Sequence, residues 1–476
     1  MPIFSVSGIR GIYGKDLNFK VVKKIAMAYG LWLNNKNKKV VIGIDTRRSG
    51  TILKKAVISG LLSTNCSIID LGICPSPILI FTKNKLSIAG GIIISGSHNP
   101  PEWNALKLLS NKTFLNTSEL KVITDNLNKI KQINFPNKLV KNRKTIKKLN
   151  SIPLYLQELY KNINLKNVIP KNNLRIIVDN GAGTSKYVIP LMLKDLNCKV
   201  KYINNDLTKT HKFPRGLDPN EENLKDLIGA MKTGDYDVGF AYDSDADRLA
   251  IVGDDAKFYQ LDIGLALITE YYFKNYYEKR KEMIFVTNLA SSLIFDELAN
   301  KYNAKIIRTP IGERNLAEKM NDFLVKHQKS NINSMVFGGE GSCGGIMLPS
   351  FNNTRDGIFA TAKIIEILIN YNDKISNLIA KLPKYFKFQE NVFLKNINID
   401  IVINKLREQL KQIGENFNQI EMDLRLDYGK EAFVLIHPSN TEPLIRVISE
   451  SKIESNAKKN LEKILTILGS IINKNK

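Results

Sequence analysis

Two short polar stretches carry residue types suited to phosphate chemistry. In DSDADR, Asp243, Asp245 and Asp247 stand at i, i+2 and i+4 after the strand-like run Asp237 to Ala241. On an extended or turning backbone, that spacing aims hard oxygen ligands at one divalent cation such as Mg²⁺. Gly96-Ser97-His98-Asn99-Pro100 follows the apolar run Gly90 to Ile94 and offers a serine hydroxyl at a strand end, next to a histidine and a Pro-Pro turn. A serine nucleophile with an Mg²⁺ site points to phosphoryl transfer, in which the hydroxyl carries the group while the metal neutralises its oxygens. Taken singly, the serine reads as a turn residue and the aspartates as a solvated loop. The elements that position them decide.

Those elements repeat three times in pattern, though not in identity. The first copy has Val40 to Ile44, then Ser67 to Asp70, then Gly91 to Ile94. The second has Arg175 to Val178, Lys199 to Tyr202 and Asp237 to Phe240; the third has Met283 to Val286, Lys305 to Arg308 and Met335 to Phe337. Strand and helix signals alternate in each copy, which predicts three similar mixed α/β sheet domains. The third strand of each copy ends in GSHNP, DSDADR or GGEGSCGG (338–345), and in open α/β sheets ligands bind beyond the carboxyl ends of strands. Three such ends facing one another would line one central cleft. The pattern predicts divisions at 1–152, 153–253, 254–375 and 376–476, the last a smaller α+β domain carrying the loop His437-Pro438-Ser439-Asn440-Thr441-Glu442-Pro443 and Arg446. Hydroxyls, backbone amides and an arginine around a turn suit a phosphate group.

At 476 residues, with 43% hydrophobic and 24% charged residues, the chain has the length for three or four folded domains. No apolar run is long enough to span a bilayer and Met1 to Ser5 has no signal-peptide pattern, so no membrane partner and a cytoplasmic location are expected. Cys66, Cys74, Cys198 and Cys343 show no Cys-x-x-Cys or zinc spacing, which fits unpaired thiols in a reducing compartment. The net charge is +24, but the densest basic run, Lys138 to Lys148, lacks interleaved aromatics for base stacking. The charge reads as a solvated surface that helps gather phosphate esters, with no nucleic-acid partner.

The ordered set of loops resembles the α-D-phosphohexomutase superfamily, the phosphoglucomutases, phosphomannomutases and phosphoglucosamine mutases, nearly end to end. The likeness runs from Phe4 to Gly11 through Asp45-Thr46-Arg47, GSHNPPEWNALK (96–107), Asn180 to Gly183 and DSDADR to TPIGE (309–313), GGEGS, Arg355-Asp356-Gly357 and PSNTEP. It implies transfer of phosphate between C6 and C1 of a hexose phosphate through a phosphorylated Ser97 and a bound hexose 1,6-bisphosphate. It also implies Mg²⁺ held by Asp243, Asp245, Asp247 and a phosphoserine oxygen of Ser97. By position, Arg248 would touch the phosphoryl group or its neighbours, and Arg10, Lys107 and His98 would give electrostatic or acid–base help. Arginine is a poor base, which favours Lys107 or His98 as proton carrier. Thr309, Gly312, Glu340 and Ser342 match sugar-binding stretches; His437, Ser439, Asn440, Thr441 and Arg446 match the loop gripping the distal phosphate.

Four departures stand out. His437 replaces a usual arginine, which predicts a weaker or more pH-dependent phosphate grip. Ser244 replaces a usual glycine and is expected to be tolerated at an ordinary backbone angle. Ala105 stands where glycine is common, and Cys343 is either a cleft thiol or a small filler. The resemblance suggests a glucosamine 6-phosphate to glucosamine 1-phosphate isomerase, as a monomer or homodimer. The alternatives are a mutase of mannose or glucose phosphates and a catalytically idle sugar-phosphate binder.

Overall fold

The computed structural model describes residues 2–5, 7–33, 38–111, 113–132, 145–164, 173–279, 282–329, 334–394, 397–439 and 443–473. Runs such as Lys39–Ile44, Gly90–Ile94 and Val238–Tyr242 are buried along nearly their whole length, as parallel strands covered by helices on both faces must be. In the first sheet, Lys39–Ile44 lies parallel between Ser67–Ile73 and Gly90–Ile94, and Trp103–Leu109 returns antiparallel beside the latter. In the second, Arg175–Asp179 lies between Lys199–Ile203 and Val238–Tyr242, with Leu249–Gly253 returning. In the third, Glu282–Asn288 lies between Lys305–Thr309 and Ser334–Gly339, with Ile346–Leu348 returning. The repeat read from the sequence is therefore a repeat of topology. GSHNP, DSDADR and GGEGSCGG each occupy the reversal between the third parallel strand and its antiparallel neighbour.

The fourth sheet is wholly antiparallel, in the order Phe386–Phe393, Leu444–Ser451, Ala432–Pro438, Asp423–Tyr428 and Asn418–Ile420. Helices Ile399–Gln412 and Glu454–Asn473 bury Val402, Leu406, Ile464 and Leu468 against it. Polar ties fix this sheet to the third unit. Lys387 Nζ donates to Asp262 at 2.7 Å and to Ala290 O at 2.8 Å, while Glu450 accepts from Leu293 N at 2.6 Å and Ser292 Oγ at 2.9 Å. Among the described residues, no helix is long and apolar enough to cross a membrane.

The first three units meet in one continuous core. The rings of Phe81, Tyr155 and Phe351, one from each unit, pack with centroids 5.4 to 5.6 Å apart. Tyr155 then donates its hydroxyl to both oxygens of Asp356 at 2.8 Å. Asp356 also caps helix Gly357–Tyr371 by accepting from Phe359 N at 3.0 Å, and accepts from Asn352 Nδ2, which itself reaches Pro77 O. Burial pushes the Asp356 carboxyl up to about 6 despite these donors.

A raised folded pKa means that the fold favours protonated Asp356. Its contribution is complete below about pH 4 and is lost as pH rises through about 6. The loss amounts to about 3 kcal/mol by linkage over the shift from 3.8 to about 6. Asp356→Asn does not titrate, so its melting temperature relative to wild type should climb between pH 4 and pH 6 and then level off. Parallel melting curves across that window would remove Asp356 as the titrating group.

Candidate active site

The Ser97 loop is held from several directions. Ser97 adopts φ +48°, a left-handed conformation that costs a residue with a side chain about 1 kcal/mol and persists only where its surroundings enforce it. The buried Arg47 supplies much of that enforcement. Its guanidinium donates to Ser97 O and Asn99 O at 2.7 Å, to Pro100 O at 2.6 Å, to Trp103 O at 3.1 Å and to Asp45 at 3.0 Å. Gly96 makes room for it, since a Cβ there would lie 2.6 Å from Arg47 Cζ. Ser95 Oγ accepts from Ser97 N at 2.9 Å. Thus oriented, the Ser97 hydroxyl donates to Asp243 Oδ2 at 2.6 Å, across from the first unit to the second.

Asp243, Asp245 and Asp247 bring one carboxylate oxygen each within 4.8 Å of one another, all three residues being buried. Each is steered by a partner. Asp245 Oδ2 accepts from Lys107 Nζ at 2.6 Å and from Ser76 Oγ, and Asp247 Oδ2 accepts from Arg355 Nη2 at 2.6 Å. Asp245 Oδ1 and Asp247 Oδ1 are buried with no hydrogen-bond partner. Burial, then the charges of Asp247 and Asp245, push the Asp243 carboxyl well above the usual range. Burial also works against ionised Asp245, but Lys107 and its hydrogen bonds outweigh it and hold that carboxyl below the usual range. Orphaned hard oxygens and a carboxylate that resists ionising together fit a divalent cation bound by oxygen.

Around this floor, the four sheets contribute to one cavity of about 300 Å³. The first supplies Arg10, Ser97, His98 and Lys107, and the second supplies Arg248. Gly312, Glu340 and Ser342 come from the third, and His437, Ser439 and Arg446 from the fourth. Thr309 does not line the cavity; its hydroxyl bonds to Pro310 O at 3.0 Å and Thr287 O at 3.3 Å and so shapes the turn that presents Gly312. Asn440 and Thr441 lie outside the described residues. Arg248 pairs with Asp218 at 2.8 Å and lies 3.5 Å from His98 Nε2. The Arg248 charge, burial, and then Arg10, Arg355 and Lys107 hold the imidazole well below its ordinary pKa, and Nδ1 has no partner. Burial disfavours charged Lys107, but Asp245 and Asp247 more than offset it and raise its pKa. His98 is thus held neutral, while Lys107 stays cationic.

Several residues outside the candidate set do structural work here. Ser244 has an ordinary backbone, and its hydroxyl is no passive substitute for glycine: it donates to Ser97 O at 2.8 Å and to Asp45 Oδ2 at 3.1 Å. Arg355 joins Asp247 to Glu340 Oε2, at 2.7 Å, and comes within 3.3 Å of Glu313. Asn288 and Gly312 N hold Glu340 Oε1 at 2.9 and 3.0 Å. Cys343 lines the cavity with Sγ 3.1 Å from Arg355 Nη1, and burial pushes its thiol up to about 11. His437 Nδ1 is 2.6 Å from Asp423 Oδ1, beside Arg446 across the strand pair. The signal for Arg47, Asn288, Glu313 and Arg355 was position, since each sits at or just beyond a strand end.

Three domain families match the chain in order. They are phosphoglucomutase/phosphomannomutase alpha/beta/alpha domain I over residues 1–134, domain II over 153–256 and domain III over 261–386. A phosphoglucomutase/phosphomannomutase of Thermococcus kodakarensis is 32% identical over 97% of this chain and 97% of its own length. A protein of Pyrococcus horikoshii named "probable phosphoglucosamine mutase" is 31% identical over 98% of each chain. The crystal structure of a phosphoglucomutase/phosphomannomutase family protein from Burkholderia thailandensis shares the fold, with a TM-score of 0.82 over 98% of this chain and 97% of that one at 23% identity.

The loop geometry makes Arg47 a sensitive point. Arg47→Lys keeps the charge but loses the planar fork that serves four carbonyls, so kcat should fall at least about tenfold and stability by about 2 kcal/mol. Steady-state kinetics and a thermal melt on the same preparation measure both.

Proposed function

The chain belongs to the phosphoglucomutase/phosphomannomutase family, and on that premise we propose that it moves phosphate between C6 and C1 of a hexose phosphate, interconverting glucosamine 6-phosphate and glucosamine 1-phosphate. The observation that carries the chemistry is the strained Ser97, its hydroxyl 2.6 Å from Asp243 at the floor of a cavity fed by all four units. In this reading Ser97 Oγ carries the phosphoryl group in the resting enzyme. A sugar hydroxyl attacks phosphorus, the P–Oγ bond breaks, and the hydroxyl proton passes to neutral His98. The bound 1,6-bisphosphate turns round, and Ser97 Oγ takes back the other phosphate as His98 returns the proton. Lys107 and Arg248 stay cationic and stabilise the equatorial oxygens. Asp243, Asp245 and Asp247 are the residues that would hold a divalent cation, which we take as Mg²⁺; when bound, it supplies neutralising charge for the transferring group. Ser439 and Arg446, which line the cavity, take the non-reacting phosphate, and Arg10, 3.4 Å from Asn99 Oδ1 beside Ser97, adds positive charge near the transferring group. We place the domain divisions at residues 152, 253 and 375; the first and last fall between sheets, and the second leaves the edge strand Phe258–Tyr259 of the second sheet just beyond it.

One observation favours a second substrate reading, on glucose or mannose phosphates: the Thermococcus kodakarensis relative, alike over nearly the whole chain, is named for those sugars. Turnover measured on glucosamine, glucose and mannose 6-phosphates separates the two.

The chemistry is tested by intact mass and phosphopeptide analysis before and after adding glucose 1,6-bisphosphate with Mg²⁺. One exchangeable phosphate on Ser97 is expected, and Ser97→Ala should lose nearly all turnover while folding normally. A protein that binds sugar phosphate and never carries phosphate on Ser97 would be an idle binder. Asp245→Asn removes one oxygen anion from the floor, so Mg²⁺ binding by calorimetry should weaken at least about tenfold together with the rate. An unchanged titration would put the metal elsewhere.

A further inference from the structure

The cavity that must accept a doubly charged phosphate ester nevertheless contains acidic side chains, and their partners do not balance. Asp245 is matched by Lys107 at 2.6 Å, and Arg248 is matched by Asp218 at 2.8 Å. Arg314, on the same wall, pairs with Glu318 at 2.8 Å. That leaves Arg355 facing three carboxylates at once: Asp247 at 2.6 Å, Glu340 at 2.7 Å and Glu313 at 3.3 Å. One guanidinium cannot neutralise three anions. Asp247 also has Lys107 Nζ at 3.8 Å, so Glu340 and Glu313 are left to share the Arg355 charge.

The hydrogen bonds identify which of the two keeps unused capacity. Both oxygens of Glu340 are engaged, Oε1 by Asn288 Nδ2 and Gly312 N and Oε2 by Arg355 Nη1. Glu313 is engaged through Oε1 alone, which accepts from the Thr354 hydroxyl and from Arg355 N at 2.8 Å. Its Oε2 has only the Arg355 Nε contact at 3.3 Å, and that nitrogen makes no hydrogen bond. Glu313 lines the cavity from the first turn of helix Glu313–Lys329, directly after Gly312. A buried carboxylate with a spare oxygen and an uncompensated charge is best completed by a cationic donor, because a charge-assisted hydrogen bond is roughly twice as strong as a neutral one.

We propose that Glu313 is the specificity-determining residue of the cleft, its Oε2 accepting a hydrogen bond from the ammonium group of a 2-amino-hexose phosphate. The assignment rests on the mutase reading above and narrows its substrate class to amino sugars. The contact is to C2, away from the phosphorylation sites at C1 and C6, and is made in one of the two orientations that the turning sugar adopts. Glu313 therefore acts on the binding of sugar and not on the bond made or broken at Ser97.

Glucosamine 6-phosphate and glucose 6-phosphate differ only at C2, as ammonium against hydroxyl, and make the direct probe. For the wild-type protein, KM for the amino sugar should be about tenfold lower than for glucose 6-phosphate. Glu313→Gln keeps the size and the Oε1 acceptor, so it should erase that difference by raising the amino-sugar KM about tenfold more than the glucose KM. A purely structural role for Glu313 would instead damage both substrates alike, and that result overturns the assignment. If Glu313→Gln does not fold, wild-type binding of glucosamine, glucose and 2-deoxyglucose 6-phosphates by calorimetry carries the test. The amino sugar should stand apart from the two neutral ones, and equal affinities overturn the assignment. Failure of the substrate reading looks different: wild type then turns over glucose or mannose 6-phosphate and not glucosamine 6-phosphate. Failure of mutase chemistry altogether leaves Ser97 without phosphate and every hexose phosphate unconverted.

Discussion

Asp243, Asp245 and Asp247 lie in a single short turn with water excluded, and like charges so placed repel strongly unless cations and donors face them. Arg248 of the same turn faces Asp243, but the other main opposing groups come from other sheets. Lys107, Ser76 and the Ser97 hydroxyl reach in from the first unit, and Arg355 reaches in from the third. A local electrostatic problem is therefore solved by interdomain contacts. The arrangement of the first three units and the integrity of the aspartate floor become one physical fact. The aromatic cluster of Phe81, Tyr155 and Phe351 and the Tyr155–Asp356 bond hold the same junction from the apolar side.

Repetition of one topology explains why chemistry gathers where it does. In each of the first three units, the polar loop falls at the reversal between a parallel strand and its antiparallel neighbour, where the backbone must turn sharply and leave the ladder. Such turns admit unusual conformations, and two appear here on residues with side chains, Ser97 at φ +48° and Ala246 at φ +58°. The strain is stored locally but enforced from a distance, by Arg47 on one side and Ser244 on the other. The fourth unit is built on a different, antiparallel plan. It reaches the cleft because Lys387, Arg425 and Glu450 tie it to the third unit, with Arg425 donating to Leu289 O.

The departures from the family pattern find physical explanations of different kinds. Ser244 gains a role that glycine could not have, because its hydroxyl joins the Ser97 loop to Asp45. His437 meets a carboxylate partner, Asp423, at 2.6 Å, so its ring is fixed by this sheet before any phosphate arrives. Cys343 is both of the things its sequence position suggested: it is small enough to be buried against Arg355 and it faces the cavity, but burial keeps its thiol protonated. Ala105 sits in the register opposite Arg10, buried in the sheet, where a methyl group is accommodated.

Much of this was legible in the chain itself. Alternating strands and helices, three copies of one pattern, the serine and aspartate loops at equivalent strand ends and a phosphate-type loop in a fourth unit are all local properties. They are written in hydrophobic periodicity and in residue types that suit few other purposes once they occur together. What the sequence could not express was pairing across units. Whether Lys107 faces Asp245, whether Arg355 is shared among Asp247, Glu340 and Glu313, and whether Thr309 faces the cavity or its own backbone depend on contacts between residues up to 138 positions apart. Charge compensation and pKa are properties of distance and burial, and those exist only after the sheets have packed. The residue types determined that phosphate chemistry was available; the tertiary structure decided which carboxylates are neutralised, which imidazole is held neutral, and which buried oxygens are left without a partner.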